Sequence, residues 1–202
     1  MLDDNLRWLI EWYNAQCDGI WENTHGIEVI NLGNPGWTIR IDIEKTDLQH
    51  KKFQENNIDR TETDWAFCCV KEGYFEGNCG TLNISEVFQT FRNWAESTFE
   101  IDKGLKLDDN FLWLVNWFDS QCDGYWEGSF RIQIKTNENS NWSVIIKIEE
   151  TELEDKYFED ISIKRTETDW FNCKIENGSF RGTCSTFNLI ELLKMFSTWA
   201  KS

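Results

Sequence analysis

The chain contains the same unit of 96 residues twice, in tandem. Residues 2–97 align with residues 107–202 at a constant offset of 105 without a gap, and 42 of the 96 aligned pairs are identical. Each copy is long enough to form a domain, and two copies of this length do not make a solenoid. We predict two homologous domains at residues 1–97 and 107–202, joined by a linker at residues 98–106. Hereafter they are repeat one and repeat two.

The composition supports a packed core and argues against a membrane protein. Hydrophobic residues make up 40% of the chain and aromatic residues 15%, with 12 tryptophans. The apolar stretches are the length of strands, well short of the ~20 residues of a membrane span. The N-terminus is acidic, whereas a secretory signal is basic. These features predict a cytoplasmic protein without membrane contact.

Seven cysteines raise the question of disulfides. Three of them recur in repeat two, at 17/122, 68/173 and 79/184, and Cys69 is single. An odd number leaves one thiol over in an oxidising compartment, while buried free thiols are ordinary in a reducing one. We predict free thiols throughout.

The net charge of −16 restricts the class of partner. Nucleic acids and anionic membranes require a basic face, so neither is predicted as a partner. The charge favours association with a basic protein. The alternative is that the charge serves solubility alone.

Each repeat has the pattern of an α+β domain. Apolar residues at helical spacing follow the caps Asp3 or Asp4 in repeat one and Asp108 or Asp109 in repeat two. Strands are predicted at residues 27–30, 37–43, 65–70 and 74–76, with a short edge strand at 48–53. The pattern from Asn83 to Glu86 resembles a capping box and predicts the start of a closing helix. We therefore predict two tandem homologous domains, each an antiparallel sheet flanked by an N-terminal and a C-terminal helix.

Three motifs occur in both repeats. They are Cys17-Asp18-Gly19-x-Trp21-Glu22 with its copy at 122–127, Arg60-Thr-Glu-Thr-Asp-Trp65 with its copy at 165–170, and Phe75-x-Gly77-x-Cys79 with its copy at 180–184. The second motif predicts an Arg–carboxylate pair where a strand begins. Its identity fits a fold requirement and a binding surface equally well. The tryptophans at positions 8, 12, 65 and 94 are predicted to lie in the core.

The sequence offers little support for catalysis or metal binding. Glu22 and Asp64 are candidates for an acid–base pair, but an acidic chain supplies such pairs by chance. Neither His25 nor His50 has a counterpart in repeat two, so the repeats share no Cys–His pair. The spacing of a zinc site is absent, and Lys174 aligns with Cys69. We predict no enzyme activity, no metal and no cofactor.

These motifs, in this order, resemble the bacterial immunity protein 53 family of polymorphic toxin systems. The resemblance covers nearly all of repeat one and rests on Trp8, Trp12, Cys17–Glu22, Gly26-Ile27, Asn34–Trp37, Ile41–Ile43, Thr46, Asp64-Trp65, Asn83-Ile84, Phe91 and Trp94. Repeat two departs from it, with Asn139-Ser140-Asn141 at the turn before Trp142, Arg131 in place of glycine and Lys147 in place of Asp42. If the turn contacts a partner, repeat two binds differently, binds more weakly or only supports the fold.

The resemblance implies an α+β protein that binds and neutralises a cognate toxin domain, and the charge adds that this toxin is basic, for example a nuclease. Aromatic anchors inside an acidic rim are expected of such an inhibitor. The predicted partner-binding residues are Asp18, Trp21, Glu22, Asn34, Trp37, Asp123, Trp126, Glu127 and Trp142, less any that prove to belong to the core. The alternatives are a small enzyme using the carboxylates of the first motif and a bivalent interaction adaptor. The oligomeric state is not predicted.

Overall fold

The computed structural model describes residues 5–96 and 109–202. In repeat one the elements are α1 (Asn5–Gln16), a 3₁₀ turn (Trp21–Asn23), β1 (Ile27–Leu32), β2 (Gly36–Asp42), β3 (Asn56–Asp59), β4 (Trp65–Lys71), β5 (Tyr74–Cys79) and α2 (Ile84–Glu96). The predicted linker at 98–106 and the predicted caps Asp3, Asp4 and Asp108 lie outside the described residues.

Repeat two follows the same order. Its elements are α3 (Asp109–Gln121), α4 (Trp126–Ser129), β6 (Ile132–Asn137), a 3₁₀ turn (Glu138–Ser140), β7 (Asn141–Lys147), β8 (Ile161–Lys164), β9 (Trp170–Glu176), β10 (Ser179–Cys184), a 3₁₀ turn (Thr186–Asn188) and α5 (Leu189–Lys201). The predicted α+β class is confirmed: in each repeat, one helix precedes the antiparallel strands in the chain and another follows them. Among the described residues, no helix combines the length and apolar character that crossing a membrane requires.

The strands of both repeats form one ten-stranded sheet in the order β3-β4-β5-β2-β1-β6-β7-β10-β9-β8. Every adjacent pair is antiparallel, including β1 and β6, which join the repeats with Val29 opposite Ile134. The order of strands in repeat two is the reverse of that in repeat one. The halves are therefore related by an approximate two-fold axis at the β1–β6 seam.

Asn31 and Thr136, which occupy equivalent positions in the two repeats, form hydrogen bonds across the seam. Asn31 Oδ1 accepts a hydrogen bond from the backbone N–H of Ile132 at 2.7 Å, and Thr136 Oγ1 accepts one from the N–H of Ile27 at 2.8 Å. Asn31 Nδ2 also donates to the carbonyl of Phe130 at 3.1 Å. These bonds satisfy backbone groups where the strands of the two repeats end their pairing.

The core lies on one face of the sheet, which we call the helix face. On β2, Trp37, Ile39 and Ile41 are each 0% exposed and alternate with polar residues, as a half-buried strand requires. Helix α2 packs on β4 and β5, and α5 packs on β9 and β10. A Cβ on Gly77 would lie 2.1 Å from Val87 Cγ1, so glycine permits this close approach.

The first helix of each repeat reaches the other repeat. The ring of Tyr13 in α1 lies 5.7 Å from that of Trp142 in β7, and Phe118 in α3 lies 4.6 Å from Trp37 in β2. Buried residues of both repeats form one hydrophobic cluster. The repeats are thus homologous along the chain but share a single core.

The predicted edge strand at residues 48–53 is wrong. This segment is a turn followed by irregular chain, and the edge strand is Asn56–Asp59. Leu48 is 5% exposed, and Phe53 packs edge-on against Phe75 and Trp94. The apolar residues of the segment therefore anchor a connection to the core and do not alternate along a strand.

Candidate interaction site

The Cys-Asp-Gly-x-Trp-Glu motif forms a closed turn after α1. Asp18 Oδ1 accepts hydrogen bonds from the backbone N–H groups of Ile20 at 2.9 Å and Trp21 at 2.8 Å. The Glu22 carboxylate accepts from the N–H groups of Asp18 at 3.1 Å and Gly19 at 3.0 Å. Gly19 has φ +91°, a conformation that favours glycine. Both carboxylates therefore hold the chain in its path from α1 to β1.

Repeat two builds the same turn. Asp123 Oδ1 accepts from the N–H groups of Tyr125 and Trp126, each at 2.9 Å, and Glu127 accepts from those of Asp123 and Gly124, each at 3.1 Å. The backbone bonds lower the pKa of Asp18 and of Asp123. The identity of this motif in both repeats is accounted for by its hydrogen bonds.

The four tryptophans predicted as partner anchors lie in the core. Trp21, Trp37, Trp126 and Trp142 are 4%, 0%, 3% and 1% exposed. Each indole Nε1 donates to a backbone carbonyl, those of Glu44, Thr81, Glu149 and Thr186 respectively, at 2.7–3.0 Å. This placement corrects the expectation of exposed anchors, because rings with satisfied N–H groups inside the core are closed to a partner.

The other predicted contact residues are divided between surface and interior. Asp18, Asn34 and Asp123 are exposed, Glu22 is half-buried and Glu127 is 2% exposed. Partner contact by the three exposed residues stays a prediction. The tryptophans assigned to the core from the sequence, Trp8, Trp12, Trp65 and Trp94, are in fact half-buried. The first two and the last pack at the margin of the core.

The Arg-Thr-Glu-Thr-Asp-Trp motif ties the loop before β4 to the start of α2. Arg60 Nη1 donates to Asp64 Oδ1 at 2.7 Å and to Glu86 Oε1 at 2.9 Å, which confirms the predicted Arg–carboxylate pair. Asn83 Nδ2 donates to Asp64 Oδ1 at 2.8 Å. The helix begins where predicted, but the capping-box mechanism is wrong. The Asn83 side chain bonds to Asp64 instead of the helix backbone, and Asn188 likewise makes no cap bond.

The cysteines are free thiols, as predicted. Burial raises the pKa of Cys68 and of Cys173 to about 12 and holds the pKa of Cys184 well above its ordinary value. His25 stacks on Trp21 with ring centroids 5.3 Å apart. In the part of the chain that the structure describes, no three His, Cys, Asp or Glu side chains are grouped to hold a metal ion.

The face of the sheet opposite the helices, the open face, is largely polar, and most of its side chains are exposed or half-buried. It consists of every second residue along each strand, whose side chains point away from the helix face. Its two halves differ in charge. The strands of repeat one carry Glu28, Asp42, Asp59 and Glu76 against Arg40 and Lys71, and those of repeat two carry Lys135, Lys147, Lys164, Lys174 and Arg181 against Glu176.

A groove of about 760 Å³ crosses the open face at the seam. Its lining includes His25, Glu28, Arg40, Asp42, Tyr74, Glu76 and Lys135. Asp42 Oδ2 accepts from the N–H of Gly26 at 2.7 Å, and burial raises the pKa of this carboxyl. Tyr74, 40% exposed, stands on the rim. The groove has the volume of a site for a small molecule or a long side chain.

The carboxylate of Glu76 sits at the centre of the repeat-one half. Arg40 Nε and Lys71 Nζ each donate to it at 3.0 Å, and Asn78 Nδ2 donates at 3.2 Å. Burial alone would raise its pKa, but these donors outweigh burial and lower it. In repeat two the charges are exchanged, with Glu176 at the position of Lys71 and Arg181 at that of Glu76.

A second cavity, of about 420 Å³, lies on the repeat-two half. Its polar lining includes Ser143, Asn172, Lys174, Arg181 and Thr183. Among the described residues, Arg181 Nε is buried without a hydrogen-bond partner, and it lies 3.9 Å from Glu176 Oε2. The buried Nε is closed to a partner, but the Arg181 side chain as a whole is 38% exposed, so its guanidinium can receive a carboxylate from outside.

Sequence reasoning overlooked several exposed apolar side chains. Ile20 and Tyr125 are 73% and 64% exposed and occupy the variable position of the first motif. Leu82 and Phe187, 53% and 57% exposed, are also an aligned pair. The sequence signal that could have revealed this exposure was an apolar residue at the variable position of an otherwise polar turn.

A family model described as Immunity protein 53 matches the chain twice, over residues 6–96 and 111–201. No curated protein and no solved structure matches the chain. The two matches coincide with the two repeats and together cover most of the sequence. The chain therefore belongs to the immunity protein 53 family, with the family domain present in two tandem copies.

Proposed function

We propose that this protein binds a cognate toxin domain of a polymorphic toxin system and neutralises it by blocking its surface. Family membership indicates an immunity protein of such a system, and the match over both repeats is the observation that carries the proposal. The cytoplasm is the proposed site of action, because a delivered toxin acts there on the cell.

The charge supports a basic toxin, for which a nuclease is the proposed class. The net charge is −16, and all of this excess of acids lies off the open face, whose own charged residues sum to a small positive charge. The connection from Glu149 to Asp160 in repeat two carries seven carboxylates and one lysine and exposes Tyr157 by 83%. Such a surface raises the rate at which a basic protein associates.

The positions of the carboxylates of the first motif, which both repeats share, support binding over catalysis. Asp18 and Glu22 are engaged by backbone N–H groups and hold a turn. A general acid or base needs a lone pair or proton directed at a substrate, and these groups are already committed. The raised pKa of Cys68 and Cys173 keeps their thiols protonated near neutral pH.

Co-expression tests the proposal. The toxin domain encoded beside this gene is expressed in a bacterial host with and without the full chain, and growth is followed. We expect growth only with the chain present, and a stable complex by gel filtration with light scattering. Toxicity that persists at excess chain, with no complex formed, contradicts the proposal.

A titration separates blocking from enzymatic detoxification. Purified toxin is mixed with increasing amounts of the chain, and its residual activity and intact mass are measured. Blocking removes activity in proportion to the chain added and leaves the toxin mass unchanged. Complete inactivation at a small fraction of equimolar chain, or a changed toxin mass, identifies the enzyme alternative instead.

A further inference from the structure

The open face is where the two repeats differ most. Of the 16 aligned strand positions on it, only Trp65 and Trp170 are identical, whereas 8 of 14 positions on the helix face are identical. Exposure alone does not explain the difference, because the exposed segment Arg60–Thr63 is unchanged in repeat two. The two repeats therefore share most of the residues of the helix face but carry mostly different side chains on the open face.

Charge is the main component of that difference. Six aligned pairs in the described residues have opposite charge, and four of them lie on the open face: 42/147, 59/164, 71/176 and 76/181. Two of the four exchange the partners of one ion pair, so they keep the local attraction. The other two, together with Cys69 against Lys174 and Ile30 against Lys135, make the repeat-two half strongly positive on an acidic protein.

The area of the open face matches that of a specific protein interface. Ten strands spaced about 4.8 Å apart, each about 20 Å long, give roughly 900 Å². A standard protein–protein interface buries about 800 Å² on each partner. One toxin domain can therefore cover both halves at once.

The approximate two-fold axis would allow a partner to bind in two orientations, and the distribution of charge distinguishes them. On a symmetric face a partner has two poses of similar energy, related by a rotation of 180° about the axis that passes through the β1–β6 seam perpendicular to the sheet. With a negative half and a positive half, one of these poses brings like charges together. Like charges across an interface oppose binding strongly, so a single orientation is selected.

We infer that the open face is the toxin-binding surface and that its unequal halves fix the orientation of the toxin. The occupant is a toxin surface with lysine or arginine opposite repeat one and carboxylates opposite repeat two. The seam groove, which is lined by Glu28, Asp42 and Tyr74, receives a basic side chain. Arg181 and the neighbouring lysines receive the carboxylates. This inference rests on the proposed function and adds the surface and the orientation.

Three exposed lysines of the positive half provide the test. The variant Lys135→Glu, Lys164→Glu, Lys174→Glu reverses charges on the open face without altering a buried group. The control variant Lys45→Glu, Lys52→Glu, Lys194→Glu makes the same change in net charge at exposed positions off this face. Equal net charge gives both variants the same long-range attraction to the toxin.

Binding of each variant to the purified toxin domain is measured by biolayer interferometry at 150 mM NaCl. We expect the open-face variant to raise Kd by about 100-fold or more, and the control to change it by no more than about threefold. A separate Tyr74→Ala variant is expected to raise Kd by about tenfold, as loss of an aromatic anchor does. Circular dichroism spectra check that each variant folds.

Several results overturn the inference while the proposed function stands. One is wild-type affinity in the open-face variant, and another is an equal loss in both variants. A wild-type chain that is dimeric by light scattering, with the dimer broken only by the open-face variant, assigns the face to a second copy. If the wild-type chain binds a fluorescent 20-nucleotide RNA and only the open-face variant loses this binding, the open face is assigned to nucleic acid. A wild-type chain that does not bind the toxin refutes the proposed function itself.

Discussion

Replacing Asn31 by alanine removes three hydrogen bonds that cross between the repeats. The side chain is 8% exposed. Its Oδ1 accepts from the N–H of Ile132 at 2.7 Å, and its Nδ2 donates to the carbonyls of Glu127 and Phe130 at 3.1 Å each. Alanine leaves these groups without a partner where water has little access.

The expected cost follows from the groups left unpaired. A buried donor without a partner costs about 1–3 kcal/mol, and the carbonyls add less because each keeps a second lone pair for other contacts. We expect the free energy of unfolding to fall by about 2–4 kcal/mol. For a chain of this length that lowers Tm by roughly 5–15 °C.

Urea unfolding followed by far-UV circular dichroism and by tryptophan fluorescence measures the change. We expect one transition, coincident by both probes, with a lower midpoint and an unchanged slope in the variant. The control Asn34→Ala alters an exposed asparagine in the adjacent turn and should stay within about 0.5 kcal/mol of wild type. Two separate transitions, or a loss below about 0.5 kcal/mol for Asn31→Ala, would refute the shared core.

Three further predictions concern packing, pH and thiol chemistry. Gly77→Ala places a Cβ 2.1 Å from Val87 Cγ1, so overpacking should cost about 1–3 kcal/mol in the same urea assay; no loss would mean that the helix shifts freely. Arg165 lowers the pKa of Glu191, so the pair stabilises the fold above the unfolded pKa, and this is lost as pH falls through the folded pKa. Arg165→Met should therefore reduce stability slightly at pH 7 and not at pH 2.5, and an equal loss at both would contradict this assignment. Burial raises the pKa of Cys68 to about 12, so Ellman's reagent at pH 8 should react slowly with the native chain and with seven thiols after unfolding in guanidinium; rapid reaction of the native chain would show that the thiols are accessible.

The spacing of apolar residues predicted most helices and strands, because burial of one side of each element on the helix face requires that spacing. Strand β2 could be read from Trp37, Ile39 and Ile41, which alternate and are fully buried. Strand β3 could not be predicted, since Asn56–Asp59 has little apolar content and exists through its pairing with β4. Leu48 and Phe53 had the apolar spacing that misled the prediction.

The seam between the repeats left no local trace in the sequence. Strands β1 and β6 each read as ordinary members of their own repeat, and their pairing joins residues more than 100 positions apart. Asn31 and Thr136 form hydrogen bonds across the seam from equivalent positions, but they are different residue types. A pattern of identities therefore did not point to them.

Identity between the repeats identified the scaffold better than the site. Trp21 and Trp126 are shared because both repeats need the same buried ring and the same bond to a backbone carbonyl. The open face was hidden in the sequence because its charges become a pattern only when the strand register places them together. Asp59 and Lys164, for example, are ordinary surface residues until they are seen on equivalent edges.

Isothermal titration calorimetry of the full chain with the purified toxin domain measures affinity and stoichiometry together. One open face shared by both repeats, with a negative and a positive half, predicts one toxin per chain of 202 residues. Two equal sites would show that each repeat binds by itself, as in a bivalent adaptor. No binding at micromolar concentrations would contradict toxin neutralisation by this protein.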